Sequence, residues 1–224
     1  MGCDDLHHKR KAKSERDLAR RKTRRAPYER VLIVCEGSKT EPNYLRELID
    51  HLKLNTANVA VDGDCDSSPD RILQYAKSRY YKEKKLGDSF DKVYCVFDRD
   101  THDTYEKILA YIAKIRPKKT FIAITSVPCF EYWLLLHFDF TARPFMVAGN
   151  KSGCDRVIDE LRKYIPEYNK GDRDIFNQLM EQTNRAIANG KRAFQQASDD
   201  GHDNPSTLMH ELVEYLYKLK GENV

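Results

Sequence analysis

The stretch Arg30-Val31-Leu32-Ile33-Val34-Cys35-Glu36-Gly37 decides how this chain is read. Val31 to Cys35 is an unbroken β-branched and apolar run. A strand with no polar alternation needs cover on both faces, as the central strand of an α/β sheet has. The run stops at Glu36-Gly37. Thr40-Glu41-Pro42 then reads as a helix start, with Thr40 as N-cap, an acid in the first turn and an early proline. Tyr44, Leu45, Leu48, Ile49 and Leu52 carry the helical period.

The same unit recurs downstream. Val59-Ala60-Val61 is a short strand candidate, followed by the loop Asp62–Asp70 with four acids close together. Ser68-Pro69 opens a second helix with Ile72, Leu73, Ala76 and Tyr80 inward. Lys92–Phe97 is a second strong strand and ends in Asp98-Arg99-Asp100. Thr104–Arg116 is helical, with Ile108, Leu109, Ile112 and Ile115 on one face and Pro117 as its stop. Thr120–Thr125 is the next apolar strand. The order β-α-β-α-β-α-β predicts a mostly parallel central sheet flanked by helices. Residues 126–140 read as one heavily apolar helix with Glu131 as its polar exception. Beyond 151 the pattern is helical, over Val157–Tyr164, Ile175–Asn189 and Leu208–Leu219, with Asn204-Pro205-Ser206 as a turn and helix start. The expected organisation is a basic arm at 1–26, an α/β core at 27–140, and a helical C-terminal elaboration at 141–224 packed on that core.

Composition narrows the classes. With 40% hydrophobic and 33% charged residues, the chain of 224 is too apolar to be disordered throughout. No uncharged apolar run approaches the roughly 18–20 residues a membrane helix needs. Charges stand where a signal peptide would be apolar, which speaks against secretion. The six cysteines (Cys3, Cys35, Cys65, Cys95, Cys129, Cys154) form no C-x-x-C pair. That suits reduced thiols in the cytoplasm and leaves room for an oligomer. The net charge of +4 divides unevenly, because residues 1–25 hold ten Lys/Arg against four Asp/Glu. The arm reads as a solvated terminus, as a phosphate-seeking segment, or as a docking segment for an acidic surface.

The chemistry sits at strand ends. In open parallel sheets, ligands bind outside the carboxyl ends of the strands. Glu36 follows one strand; Asp98 and Asp100 follow another. In extended backbone, residues two apart point the same way, so Asp98 and Asp100 can face one ion. Clustered carboxylates repel unless a cation joins them, and Mg²⁺ suits one or two carboxylates plus phosphate oxygens. The plainer reading is that each acid caps the next helix. Around this trio, Glu41 either reaches the same site or stabilises the helix dipole. Glu131 faces solvent, the metal cluster or a basic group. Lys39 is a phosphate-binding candidate; Arg99 points either toward a phosphate or elsewhere, and Lys191 either approaches from the helical region or belongs to a solvated face. Trp133 and His137 read as core.

VLIVCEGSKTEPNYL, VYCVFDRDTHD and SVPCFEYWLLLHF together closely resemble the RloB-like proteins, the family that includes the AbiLii-type abortive-infection proteins. The resemblance is good over residues 30–140, and YNKGDRDIF and NPSTLMHELVEYL are also similar. It implies a Toprim-like fold, as in topoisomerases, primases and OLD-type nucleases. It also implies Mg²⁺ or Mn²⁺ held by Glu36, Asp98 and Asp100 for phosphodiester hydrolysis of DNA or RNA. A partner ATPase in an anti-phage system, with this chain as the toxic half, is implied in the same way. Two rivals stand beside it. VYCVFDRDT also fits a haloacid-dehalogenase-type phosphatase with Asp98 as nucleophile and Asp100 as acid/base, though that leaves Glu36 idle. The other is a non-catalytic subunit that binds nucleic acid or a partner.

Overall fold

The computed structural model describes residues 28–56, 58–63, 68–99 and 104–222. The basic arm and Asp100 lie outside the described residues. The apolar run forms β1 (Val31–Cys35), and all five of its residues are buried. Helix α1 (Thr40–His51) returns to β2 (Val59–Asp62), α2 (Pro69–Lys85) to β3 (Lys92–Asp98), and α3 (Tyr105–Lys114) to β4 (Phe121–Val127). Then come α4 (Glu131–Leu135), α5 (Gly153–Leu161), α6 (Ile175–Leu179), a 3₁₀ turn, α7 (Thr183–Asp200), β5 (Ser206–Thr207) and α8 (Met209–Lys220).

The sheet order is β2-β1-β3-β4-β5. The first four strands are parallel, with Val31 opposite Val59 and Lys92, and Val93 opposite Phe121. Period-2 alternation sorts the sheet's side chains onto two faces. Val31, Ile33, Cys35, Tyr94, Val96 and Ile124 pack under α1 and the C-terminal helices. Leu32, Val34, Val93, Cys95, Phe97 and Phe121 pack under α2 and α3. The result is an α/β sheet covered on both sides, as the unbroken apolar runs require.

Several expectations change. Residues 126–140 are not one helix: β4 runs on to Val127, and only Glu131–Leu135 is α-helical. The cause is β5, which forms where Asn204-Pro205-Ser206 predicts a turn and helix start. It pairs antiparallel with β4, Ser126 opposite Thr207 and Val127 opposite Ser206. The Ser126 and Thr207 hydroxyls also bond at 2.9 Å. Thr40 is not a side-chain cap. It sits inside α1, and its hydroxyl accepts the Gly171 amide at 2.9 Å from a loop 131 residues away. The helical stretch at 175–189 is broken into α6, the turn Met180–Gln182, and α7. Trp133 and His137 are fully buried. Burial pushes the His137 pKa down to about 4, so the ring is neutral in the core.

Candidate metal centre

β1 leads to β2 on one side and is flanked by β3 on the other, so the crevice between the carboxyl ends of β1 and β3 is the topological switch point. Glu36 and Asp98 emerge there. The Glu36 amide donates to Val96 O at 3.0 Å, which continues the β1–β3 ladder by one residue. The Asp98 amide then donates to Glu36 Oε2 at 2.9 Å. The Arg99 amide still pairs with Ser126 O at 2.9 Å, so the backbone stays extended through Asp98.

Two further acids converge on this pair. Glu41, in the first turn of α1, is buried. Its carboxylate lies over Gly37: a Cβ on Gly37 would come within 2.5 Å of Glu41 Oε2. Glycine after Glu36 is therefore the residue that lets the α1 acid fold back onto the strand end. Glu131, the first residue of α4, is 2% exposed. It accepts the Tyr168 hydroxyl at 3.1 Å, the Cys154 thiol at 3.5 Å, and stands 3.6 Å from Lys170 Nζ.

The electrostatics follow from crowding. Burial, then Glu131 and Glu36, push the Glu41 pKa up to about 7. Burial, then Glu41, Glu131 and Glu36, hold Asp98 well above the carboxylate range, although the Phe130 backbone opposes this. Burial disfavours the charge on Lys170, but Glu131 and the thiols of Cys154 and Cys129 more than offset that and raise its pKa. Four carboxylates close enough to raise one another's pKa make an oxygen-rich, anionic rim, the chemistry that hard divalent cations take.

The structure thus brings Glu36, Asp98, Glu41 and Glu131 together. Arg99 points along the rim, its guanidinium paired with Asp203 and 5.6 Å from the Tyr105 ring. Lys39 is exposed in the β1–α1 loop, its stem against Gly171. Lys191 is on α7 in an ion pair with Glu214 of α8 at 2.5 Å. A cleft of about 400 Å³ opens on the acids, lined by Glu36, Asp98, Arg99, Cys129, Cys154 and Lys170 among others. Sequence patterning assigns Cys129, Cys154, Tyr168 and Lys170 no site role. Cys129 lies in SVPCFEYWLLLHF, and Tyr168 and Lys170 in YNKGDRDIF, but in a turn and a loop with no periodicity; Cys154 lies in the first turn of α5, ahead of the apolar period that begins at Val157.

An open, doubly covered α/β sheet with carboxylates gathered at its switch point defines the class of this protein. Within that class the chain belongs to the RloB-like family, since the model of the RloB-like protein family matches residues 31–216. No curated protein and no solved structure matches it. Among the described residues, no helix is long and apolar enough to cross a membrane.

Proposed function

We propose that this protein is a divalent-metal-dependent nuclease with a Toprim-like core, acting in anti-phage defence beside a partner ATPase. The observation that carries the reading is the meeting of Glu36 and Asp98 at the β1/β3 switch point, with Glu41 and Glu131 closing around them. The donors are all carboxylate oxygens and mutually repelling, which fits Mg²⁺ or Mn²⁺. Glu36 and Asp98, with Asp100 from the segment outside the described residues, would hold the ion; Glu41 and Glu131 add negative charge around it. A bound ion supplies an activated water and neutralises charge developing on a phosphodiester.

The chain's own residues set up the rest. The Asp98 amide orients Glu36 and keeps its carboxylate at the strand end. Arg99 and Lys170 stand on the cleft as cations for phosphate oxygens. The arm at residues 9–25 adds affinity for the polyanion without reading its sequence. A phosphatase built on Asp98 and Asp100 would have no task for Glu36, whereas an ion-binding cluster uses it.

The test is cleavage of labelled RNA and DNA by the purified protein with Mn²⁺, with and without its genomic neighbour. Asp98→Asn should abolish cutting and leave the metal-free melting temperature unchanged or higher, because asparagine removes a buried carboxyl whose ionisation burial and Glu41, Glu131 and Glu36 oppose. Free phosphate from a small phosphomonoester, with nucleic acid intact, would establish the phosphatase instead. Equal cutting by wild type and Asp98→Asn would end the nuclease assignment to this site.

A further inference from the structure

We propose that Cys129, Glu131 and Cys154 form a second metal site, for a thiophilic divalent ion of the zinc type, distinct in donor chemistry from the all-oxygen cluster beside it. The three residues come from the β4–α4 turn, the first residue of α4 and the first turn of α5. Their two Sγ atoms and a carboxylate oxygen all lie within 4.8 Å of one another. Cys154 Sγ is 3.5 Å from Glu131 Oε2. Around a tetrahedral zinc, with Zn–S near 2.3 Å and Zn–O near 2.1 Å, ligand atoms stand about 3.3–3.8 Å apart. The trio therefore needs to close by no more than about 1 Å to reach that geometry.

The backbone holds these donors in place. Cys154 lies within a capping box in which Ser152 Oγ accepts the Asp155 amide at 3.1 Å and Asp155 Oδ2 accepts the Ser152 amide at 2.8 Å. Gly153 lets this turn press against the neighbouring loop, since a Cβ there would lie 2.5 Å from Phe145 O. Cys129 and Glu131 flank Phe130, whose ring is anchored in the main core. Cys154 is half-buried and lines the cleft, which gives an ion its way in.

Donor softness separates the two sites. Two thiolates and one carboxylate select zinc-like ions, while the Glu36/Glu41/Asp98 oxygens suit Mg²⁺ or Mn²⁺. Three protein ligands leave a fourth position for water or substrate, the pattern of open zinc sites. Binding converts two thiols to thiolates and releases their two protons to solvent. Lys170 occupies the cationic role when no ion is there. Its ammonium is 3.6 Å from Glu131 Oε1, and its side chain is more than half exposed on a flexible stem. An incoming ion displaces it. Because Glu131 also faces Asp98 and Glu41, loading this site neutralises part of the adjoining cluster's charge.

The experiment uses the reduced, chelator-treated full chain and Co²⁺ as the probe. A Cys3→Ser/Cys65→Ser background removes the two thiols outside the described residues, and Cys35 and Cys95 are buried in the sheet. The expected result is one equivalent of Co²⁺ with a thiolate-to-cobalt charge-transfer band, displaced by Zn²⁺. The band should vanish in Cys129→Ser and in Cys154→Ser, persist in Asp98→Asn, and form about tenfold more tightly or better in Lys170→Met, where a like charge is removed. Should serine at 129 prevent folding by circular dichroism, Cys154→Ser at the half-buried position carries the test alone. No thiolate band with free thiols confirmed by titration, or a band surviving in Cys154→Ser, overturns the proposal. Either outcome leaves the Mn²⁺-dependent cleavage assay unaffected, so the two readings fail separately.

Discussion

Replacing Glu41 by glutamine should stabilise the metal-free protein at neutral pH. In the folded chain the Glu41 pKa is raised from 4.5 to about 7, by burial first and then by Glu131 and Glu36. An acid whose pKa is higher when folded binds its proton more tightly in the native state. Its stabilisation is therefore complete below pH 4.5 and is lost as pH rises towards 7. A rise of about 2.5 units corresponds to about 3 kcal/mol across that window. Asp98, raised for the same reason, contributes in the same direction. For a chain of this size about 3 kcal/mol is roughly 6–12 °C in melting temperature. Glutamine keeps the shape and cannot ionise, so Glu41→Gln should flatten the decline and lie above wild type at pH 7.5. The assay is urea unfolding from pH 4.5 to 8 in chelator, repeated with Mn²⁺. The ion should restore most of the wild-type loss, because binding to the native state alone adds stability. A wild-type curve that is flat or rising between pH 5 and 7, or a Glu41→Gln variant less stable than wild type at pH 7.5, would refute the crowded-carboxylate account.

Other consequences are separable. Gly37→Ala puts a Cβ 2.5 Å from Glu41 Oε2, so the carboxylate must move; expect a loss of about 1–3 kcal/mol in urea unfolding and weaker Mn²⁺ binding by calorimetry. Arg30→Met should cost about 3–5 kcal/mol, because Arg30 pairs with buried Glu83 at 2.7 Å and with Asp88 while lying 4.1 Å from the Phe90 ring centre. Removing residues 1–26 should weaken nucleic-acid binding about equally across sequences and flatten its salt dependence; an unchanged slope in binding assays at several salt concentrations would deny the arm that role.

Much of the fold was legible because its signals are local. A β-branched, both-sided apolar run of five such as Val31–Cys35, closed by Glu36-Gly37, reads as a buried strand, and three such runs with a shorter fourth, alternating with helical periods, imply a parallel sheet. Glu36 and Asp98 stood out because they end such runs, and parallel strands in one sheet must end at the same edge. What remained hidden depended on partners far along the chain. Ser126-Val127 and Ser206-Thr207 become strand only by pairing with each other, and a two-residue strand has no period to detect. Gly37 could be seen, but not that Glu41 rests on it.

Local sequence carries the layered α/β architecture and the two strand-end acids, because hydrophobic period and strand termini are properties of neighbouring residues. Which strands lie side by side, and hence that Glu36 meets Asp98 across the β1/β3 crevice, is a matter of tertiary packing. That packing alone brought Glu131, Cys129, Cys154, Tyr168 and Lys170 to that crevice. Those residues converge through the packing of α4, α5 and the loop before α6, and no local pattern in a chain records where its distant turns will meet.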